Sequence, residues 1–525
     1  MRVVKGKDII KYLRSGIMLL GILILCFVLF LTLKWNVLIV TNAAESVVVS
    51  NTPKLLYFYY SVVLVLLFAL YPILKRMDSK VFFAILLGYF SVLALYLVFN
   101  ADPYLRPADP ATIWELAKNF NAGKYTGFKN GEYLNIYPFQ LGIVTFERAL
   151  AHFSTNITFL YFVGLVCTDG VIILIWLISK IIYENNAVQN ITSILAIVFT
   201  PFLFNVLFVY GNVYGLLFMF GAVYCQLLSF KSKNKKQMYG YSCAVFILLT
   251  IAYMIKSNFE IGIIAVGIVY FIKGINKHFY LVMAILVILT VPMVNTALGK
   301  GYSLETGNTI SLSKGTPKST YLVMGLTRSY GRVGWFNFYN QNTYIESGYN
   351  TKKADKKAKK DLVKRLKYLA THRKYTAKLL LDKEISTWAD STYQSIWNGP
   401  LPTWGGKVNT KLMKLIYIED GKSGVYKFIR YNSVLVVWSI LIFTIFTLSM
   451  KLFKKSAKLL NSDYLLYATL FFIGGFVFHT FWETKAQYVY QYTATLIPLA
   501  SIGICVAMEY LWTILLKIKL EFRNK

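Results

Sequence analysis

Apolar runs long enough to cross a bilayer recur along this chain, and they constrain its fold more than any motif does. A hydrocarbon core of about 30 Å takes roughly 18 or more consecutive apolar residues as a helix. About twelve stretches reach that length. They lie near 16–38, 55–75, 80–100, 157–182, 188–208, 211–230, 239–255, 258–273, 278–298, 431–452, 463–482 and 491–514. In lipid, backbone N–H and C=O groups must be satisfied within the spanning element, so these runs predict helices. The chain reads as an all-α polytopic membrane protein. Its 525 residues are 56% hydrophobic and 17% aromatic, with mean hydropathy +0.52, a balance no soluble domain of this size shows.

Orientation follows from lysine and arginine in the short connections. Basic segments fall at 2–14, 75–80 (KRMDSK), 231–236 (KSKNKK), 273–277, 451–458 (KLFKKSAK) and 517–525. With the N-terminus inside and twelve crossings, all of them land on the cytoplasmic side. The expected location is a plasma membrane, with both termini cytoplasmic. "MRVVKGKDIIKYLRSG" is basic, but the run after it is too long for a signal-peptide core and reads as a first anchor. The net charge of +32 follows from these loops, so nucleic acid is not an expected partner.

Two long segments then face outward, at about 101–156 and 299–430. The organisation is a membrane module over 1–298 carrying the first outer loop, an extracytoplasmic region over 299–430, and C-terminal helices with a basic tail over 431–525. Stretch 137–153 (YPFQLGIVTFERALAHF) is short and carries Glu147 and Arg148 mid-run, so an interfacial helix is expected rather than a span. Stretch 352–374 holds eleven lysines and arginines against two aspartates. It is either a solvated basic helix or a surface for anionic headgroups or a polyanionic polymer.

Cys26, Cys167, Cys225, Cys243 and Cys505 all lie in apolar runs without a CxxC pair, which disfavours disulfides and zinc. No P-loop, GxGxxG or HExxH occurs, and His152, His278, His372 and His479 form no cluster.

Candidate chemistry sits where polar residues meet the outer ends of spans. "FNADPYLRPADPATIWELAKNF" offers Asp102, Arg106 and Asp109. Asp109-Pro110 is a good helix start, aspartate capping and proline at the first helical position. Asp102 suits a turn at the span's end. "GEYLNIYPFQLG" follows with Tyr133, Tyr137 and Gln140. "PFLFNVLFVYGNVYG" places Tyr210 and Asn212 at an outward hairpin, and "MIKSNFEIG" adds Lys256. "HTFWETKAQYVYQY" adds His479, Glu483, Lys485, Gln487 and Tyr488. Each is ordinary alone; together they outline an outward polar cavity.

"PAD" with "EYLNIYPFQLG", the "P…YGN" hairpin and "E-x-K-x-Q-Y…P" resemble the GT-C class of integral-membrane glycosyltransferases. The branch resembled is the one using polyprenyl-phosphate sugars, which includes protein O-mannosyltransferases and aminoarabinose transferases. "YLVMGLTRSYGRVGWFN" and "KEISTWAD" resemble its outer region. The resemblance runs from about residue 80 onward; the two spans before it are extra. It implies about twelve helices with interfacial helices in a catalytic first outer loop. It also implies a base there, Asp109 or failing it Asp102, that activates an acceptor hydroxyl for inverting attack on the donor sugar. Lys485, Lys256 and Arg106 would hold the donor phosphate. Tyr133, Tyr137, Gln140, Tyr210, Asn212, His479, Glu483, Gln487 and Tyr488 would line the substrate site. Gln487 stands where many members carry arginine, which shifts the phosphate role towards Lys485. The acceptor implied is an envelope glycopolymer, glycolipid or protein, and the basic stretch admits a polyanionic one. No cofactor is expected; a divalent cation would need ligands beyond Asp102 and Asp109, such as Glu132 or Glu147. A flippase for lipid-linked saccharides and a polysaccharide polymerase or ligase are the alternatives.

Overall fold

The structure, a computed structural model, describes residues 6–42, 44–275, 277–308, 314–418, 421–453 and 462–523. Parts of the basic segments, at 2–5, 454–458 and 524–525, lie outside the described residues. Among those described, eleven helices are long and apolar enough to cross a membrane, from Ile10–Lys34 to Ile497–Phe522. A bent pair, Asn186–Val198 with Thr200–Leu207, supplies a twelfth span broken by 51°. At the break Phe199 is extended, and Pro201 opens the second segment in its first turn, where a missing N–H has no helical partner to lose. Each apolar run of the sequence has its helix.

The spans alternate in direction, so connections after the odd-numbered ones gather at one end of the bundle. These are 35–54, 101–156, 208–210, residue 256, 306–423 and 482–496. At the opposite end Asp463 accepts from Arg14 at 3.0 Å and from Lys273 at 2.8 Å, tying the first, eighth and eleventh spans. All five cysteines are free thiols. Within the bundle, Ser91 donates to Asp169 at 3.0 Å, linking the third and fourth spans.

The chain is not wholly helical. Between the first two spans, β1 (Trp35–Asn42) and β2 (Ala44–Asn51) pair antiparallel, with Val37 opposite Val49 and Ile39 opposite Val47. Their β-branched alternation suits a half-buried ribbon, and Val37 and Ile39 are its buried face. The first outer loop folds into helices Asp109–Asn121, Tyr133–Ile136 and Leu141–Ala151. The last buries Leu141, Ile143, Val144 and Glu147 on one face and is no span. Spans nine and ten reach further than their apolar runs, as His278–Glu305 and Gly424–Phe453. Between them, Trp388, Tyr393, Trp397 and Tyr417 enter the same core as the spans. Helix Thr351–Thr371 is the basic stretch. It rests on Ala354, Ala358 and Leu369 and leaves most of its lysines in water.

Candidate active site

The connections at the gathered end enclose a cavity of about 750 Å³, a size suited to a small-molecule ligand. Eleven of the fourteen residues singled out in the sequence line it: Arg106, Asp109, Tyr133, Tyr137, Gln140, Tyr210, Lys256, Glu483, Lys485, Gln487 and Tyr488.

Asp109 stands at the centre of a hydrogen-bonded group. Tyr133 donates to its Oδ1 and Tyr210 to its Oδ2, each at 2.9 Å. Gln140 Nε2 in turn donates to the Tyr210 oxygen at 2.9 Å. Burial and the neighbouring Asp109 push both phenols well above their usual range, so they stay protonated donors. The sequence expectation that Asp109 caps its helix is corrected here. Ala108 occupies the cap position at φ 81°, and no side chain caps the helix end. Asp109 is the first helical residue, and both carboxylate oxygens turn to the tyrosines instead.

Lys256 follows the seventh span. Its ammonium lies 4.0 Å from the Tyr210 ring centre and 5.7 Å from that of Tyr488. Burial lowers its pKa to about 8, against the opposing pull of Asp109 and Glu483. Glu483 shares this chamber. Burial raises its carboxyl to about 7, with Lys485, Lys256 and Lys383 opposing, and Oε1 finds no partner among the described residues. The segment bearing Glu483 is pinned from behind. Lys383 Nζ donates to the carbonyls of Gly325, Thr480 and Trp482 at 2.6, 2.9 and 2.8 Å.

A second wall is cationic and is organised by a residue the motifs did not indicate. Glu45, on β2, accepts Lys485 Nζ on Oε2 at 2.5 Å, and the Arg106 guanidinium and Trp397 Nε1 on Oε1, the latter at 3.0 Å. Arg332 lies 4.0 Å from Oε2. Burial pushes the Glu45 carboxyl up, but Lys485 and Arg106 outweigh it and hold it well below the usual carboxylate range. Arg106 also donates to Asn398 and lies against Trp404 and Trp397. A third wall is aromatic. Tyr321 and Trp482 stack in parallel with ring centres 5.3 Å apart, near Tyr137, Phe139, Phe336 and Phe338.

Three expected residues do not line the cavity. Asp102 ends the third span: its N–H donates to Lys407 O at 3.0 Å beside the Ala101–Val408 bridge. Asn212 supports the site from behind, donating to Gln487 O at 3.0 Å and accepting Tyr490 on its own carbonyl at 2.9 Å. His479 is buried in the eleventh span beside Thr484, 3.1 Å away. Among the described residues, no three His, Cys, Asp or Glu side chains group as metal ligands.

No protein-family model matches the chain, and no curated protein does. A search of solved structures matches a crystal structure of ArnT from Cupriavidus metallidurans bound to undecaprenyl phosphate. Identity is 12% and the TM-score 0.33, over 81% of this chain and 77% of that one.

Proposed function

We propose that this protein is a GT-C-type glycosyltransferase that moves a sugar from a polyprenyl-phosphate donor to an acceptor hydroxyl. The observation that carries the reading is the sharing of one cavity by Asp109 and four cationic side chains, Lys256, Lys485, Arg106 and Arg332. A transferase of this kind needs a base at the acceptor and positive charge at the leaving phosphate, and few other chemistries ask for both in one chamber.

In the proposed step, Asp109 takes the acceptor's hydroxyl proton as the oxygen attacks the anomeric carbon. A new C–O glycosidic bond forms with inversion. The anomeric C–O bond to phosphate breaks, and its electron pair leaves with polyprenyl phosphate. Charge growing on that phosphate is met by fixed cations in a water-poor wall. The basic groups missing at Gln487 are supplied by Arg106 and Arg332. The aromatic wall, with Asn340 and Gln341, gives rings and amides that suit a sugar-bearing acceptor. The cavity end is read as extracytoplasmic because the short basic connections lie at the other end. The acceptor is read as an envelope glycopolymer, glycolipid or protein.

The test is reconstitution with polyprenyl-phosphate hexoses and candidate acceptors. Asp109→Asn should lower turnover by about 10² to 10⁴, the usual worth of a positioned base. Full activity in that variant would remove Asp109 as the base. Transport of lipid-linked sugar without transfer would replace the enzyme by a flippase.

A further inference from the structure

Glu45 belongs to the hairpin between the first two spans, outside the part of the chain that carries the family resemblance. Yet one carboxylate there is bonded to Arg106, Lys485 and Trp397, with Arg332 4.0 Å away. In a chain of 56 lysines and arginines against 24 acids, that acid is placed with care. Three cations drawn together in a poorly hydrated wall repel one another unless an anion lies among them.

Two geometric facts separate a permanent counter-ion from an anion merely filling the ligand's seat. Glu45 is fastened to the wall: its Oε1 is held by Trp397, and Arg106 is held by Asn398, neither of which lines the cavity. The hairpin is also tied down. Val37 N–H donates to Ala389 O at 3.2 Å, and Arg430 donates to Asn36 Oδ1 at 2.7 Å and Val37 O at 2.6 Å. Arg332 keeps a spare donor, its buried Nε having no partner among the described residues.

We infer that Glu45 is a positioning residue, a built-in counter-anion that sets Arg106, Lys485 and Arg332 as one cradle for the donor's lipid-linked phosphate. The inference rests on the transferase reading and adds to it that the N-terminal hairpin is part of the site. The charge balance follows: three cations and one carboxylate leave a seat of +2, which attracts the donor's phosphodiester (−1) and is matched by the phosphate monoester dianion that departs.

Binding of undecaprenyl phosphate to the full-length protein in nanodiscs tests this, with neutral polyprenol as a control. Glu45→Gln keeps the side chain's shape and removes its charge. It should weaken lipid-phosphate binding by about tenfold or more, as loss of one partner from a buried charge cluster does. Polyprenol binding should stay unchanged, which a collapsed site would not allow. Glu45→Gln and Lys485→Met together should lose less than the product of the two single losses. If Glu45→Gln does not fold, Glu45→Asp carries the same comparison, with weaker phosphate binding and unchanged polyprenol binding. Equal or tighter binding by the folded variant overturns the inference, the tighter result marking Glu45 as a competitor of phosphate. Failure of the wild type to bind the lipid phosphate would instead remove the donor reading, and the cradle with it.

Discussion

The hydroxyl of Tyr210 donates to Asp109 Oδ2 at 2.9 Å, across 101 positions of sequence. Tyr133 does the same to Oδ1, so each carboxylate oxygen gives one lone pair to a tyrosine and keeps another for an acceptor. Capping does not compete with the role proposed for Asp109 as base, because its side chain does not cap the helix. Tyr210→Phe keeps the ring beneath Lys256 and removes only this hydroxyl. Hydrogen bonds to charged groups are worth about 1.5–3 kcal/mol, so kcat should fall about tenfold or more, with donor KM little changed. A KM effect without a kcat effect would place Tyr210 in binding rather than in orienting the base.

Lys256 gives a pH dependence. Its pKa is lowered to about 8 by burial, so the folded protein loses this charge well before an ordinary lysine would. Donor KM should be flat below neutrality and rise as pH passes 8. Lys256→Arg, which stays charged, should remove the rise. The linked stability has the opposite sign. Between about 8 and 10.5 the unfolded chain binds more protons, so this group's contribution to stability increases with pH there. A KM profile that is the same in both proteins would exclude Lys256 from the phosphate site.

What could be read in advance divides along physical lines. The spans were legible because apolar length is a local property of the sequence. Eleven residues that line the cavity were legible because polar groups at span ends stand out against lipid-facing sequence. Glu45 was not, since a lone acid in "ESVVVS" carries no motif and its meaning comes from Arg106 and Lys485, 61 and 440 positions away. The hairpin around it was hidden by counting only runs long enough to span. Arg332 sits in "YLVMGLTRSYGRVGWFN", but only the fold brings it beside Glu45. His479 and Asp102 stood out by position, and neither lines the cavity.

Ala108 holds φ 81° and ψ −134° immediately before Asp109. That region is nearly exclusive to glycine, and a residue with a Cβ there costs about 1–3 kcal/mol. Ala108→Gly should therefore stabilise the protein by about 1 kcal/mol after the entropy glycine adds to the unfolded chain. Thermal unfolding in detergent measures it, and activity shows whether the strain serves Asp109. A lower melting temperature would contradict the strain.

Metal independence is the expected outcome from the donor set. Among the described residues no three His, Cys, Asp or Glu side chains group as ligands, while a hard divalent cation seeks about six oxygen ligands. Transfer should be unchanged after EDTA treatment and without added Mg²⁺ or Mn²⁺. Loss of activity restored by either ion would call for a site using Asp109 and Glu483 together.

The basic helix Thr351–Thr371 offers the last prediction. Lys353, Lys356, Lys360, Lys364 and Lys367 recur at three- and four-residue spacing, and all are exposed. They form a stripe turned away from Ala354 and Leu369, the residues that dock the helix. Ala354 packs with Ile136, and Tyr137 of the cavity lies against that cluster, so the stripe begins beside the cavity rim. If the acceptor is polyanionic, changing these five lysines to glutamine should raise its KM about tenfold or more at low salt, and much less at about 0.5 M salt, where exposed charges are screened. Binding of undecaprenyl phosphate should stay intact, because none of the five lines the cavity. An unchanged KM for anionic acceptors at low salt would return the stripe to a solvated surface with no part in acceptor binding.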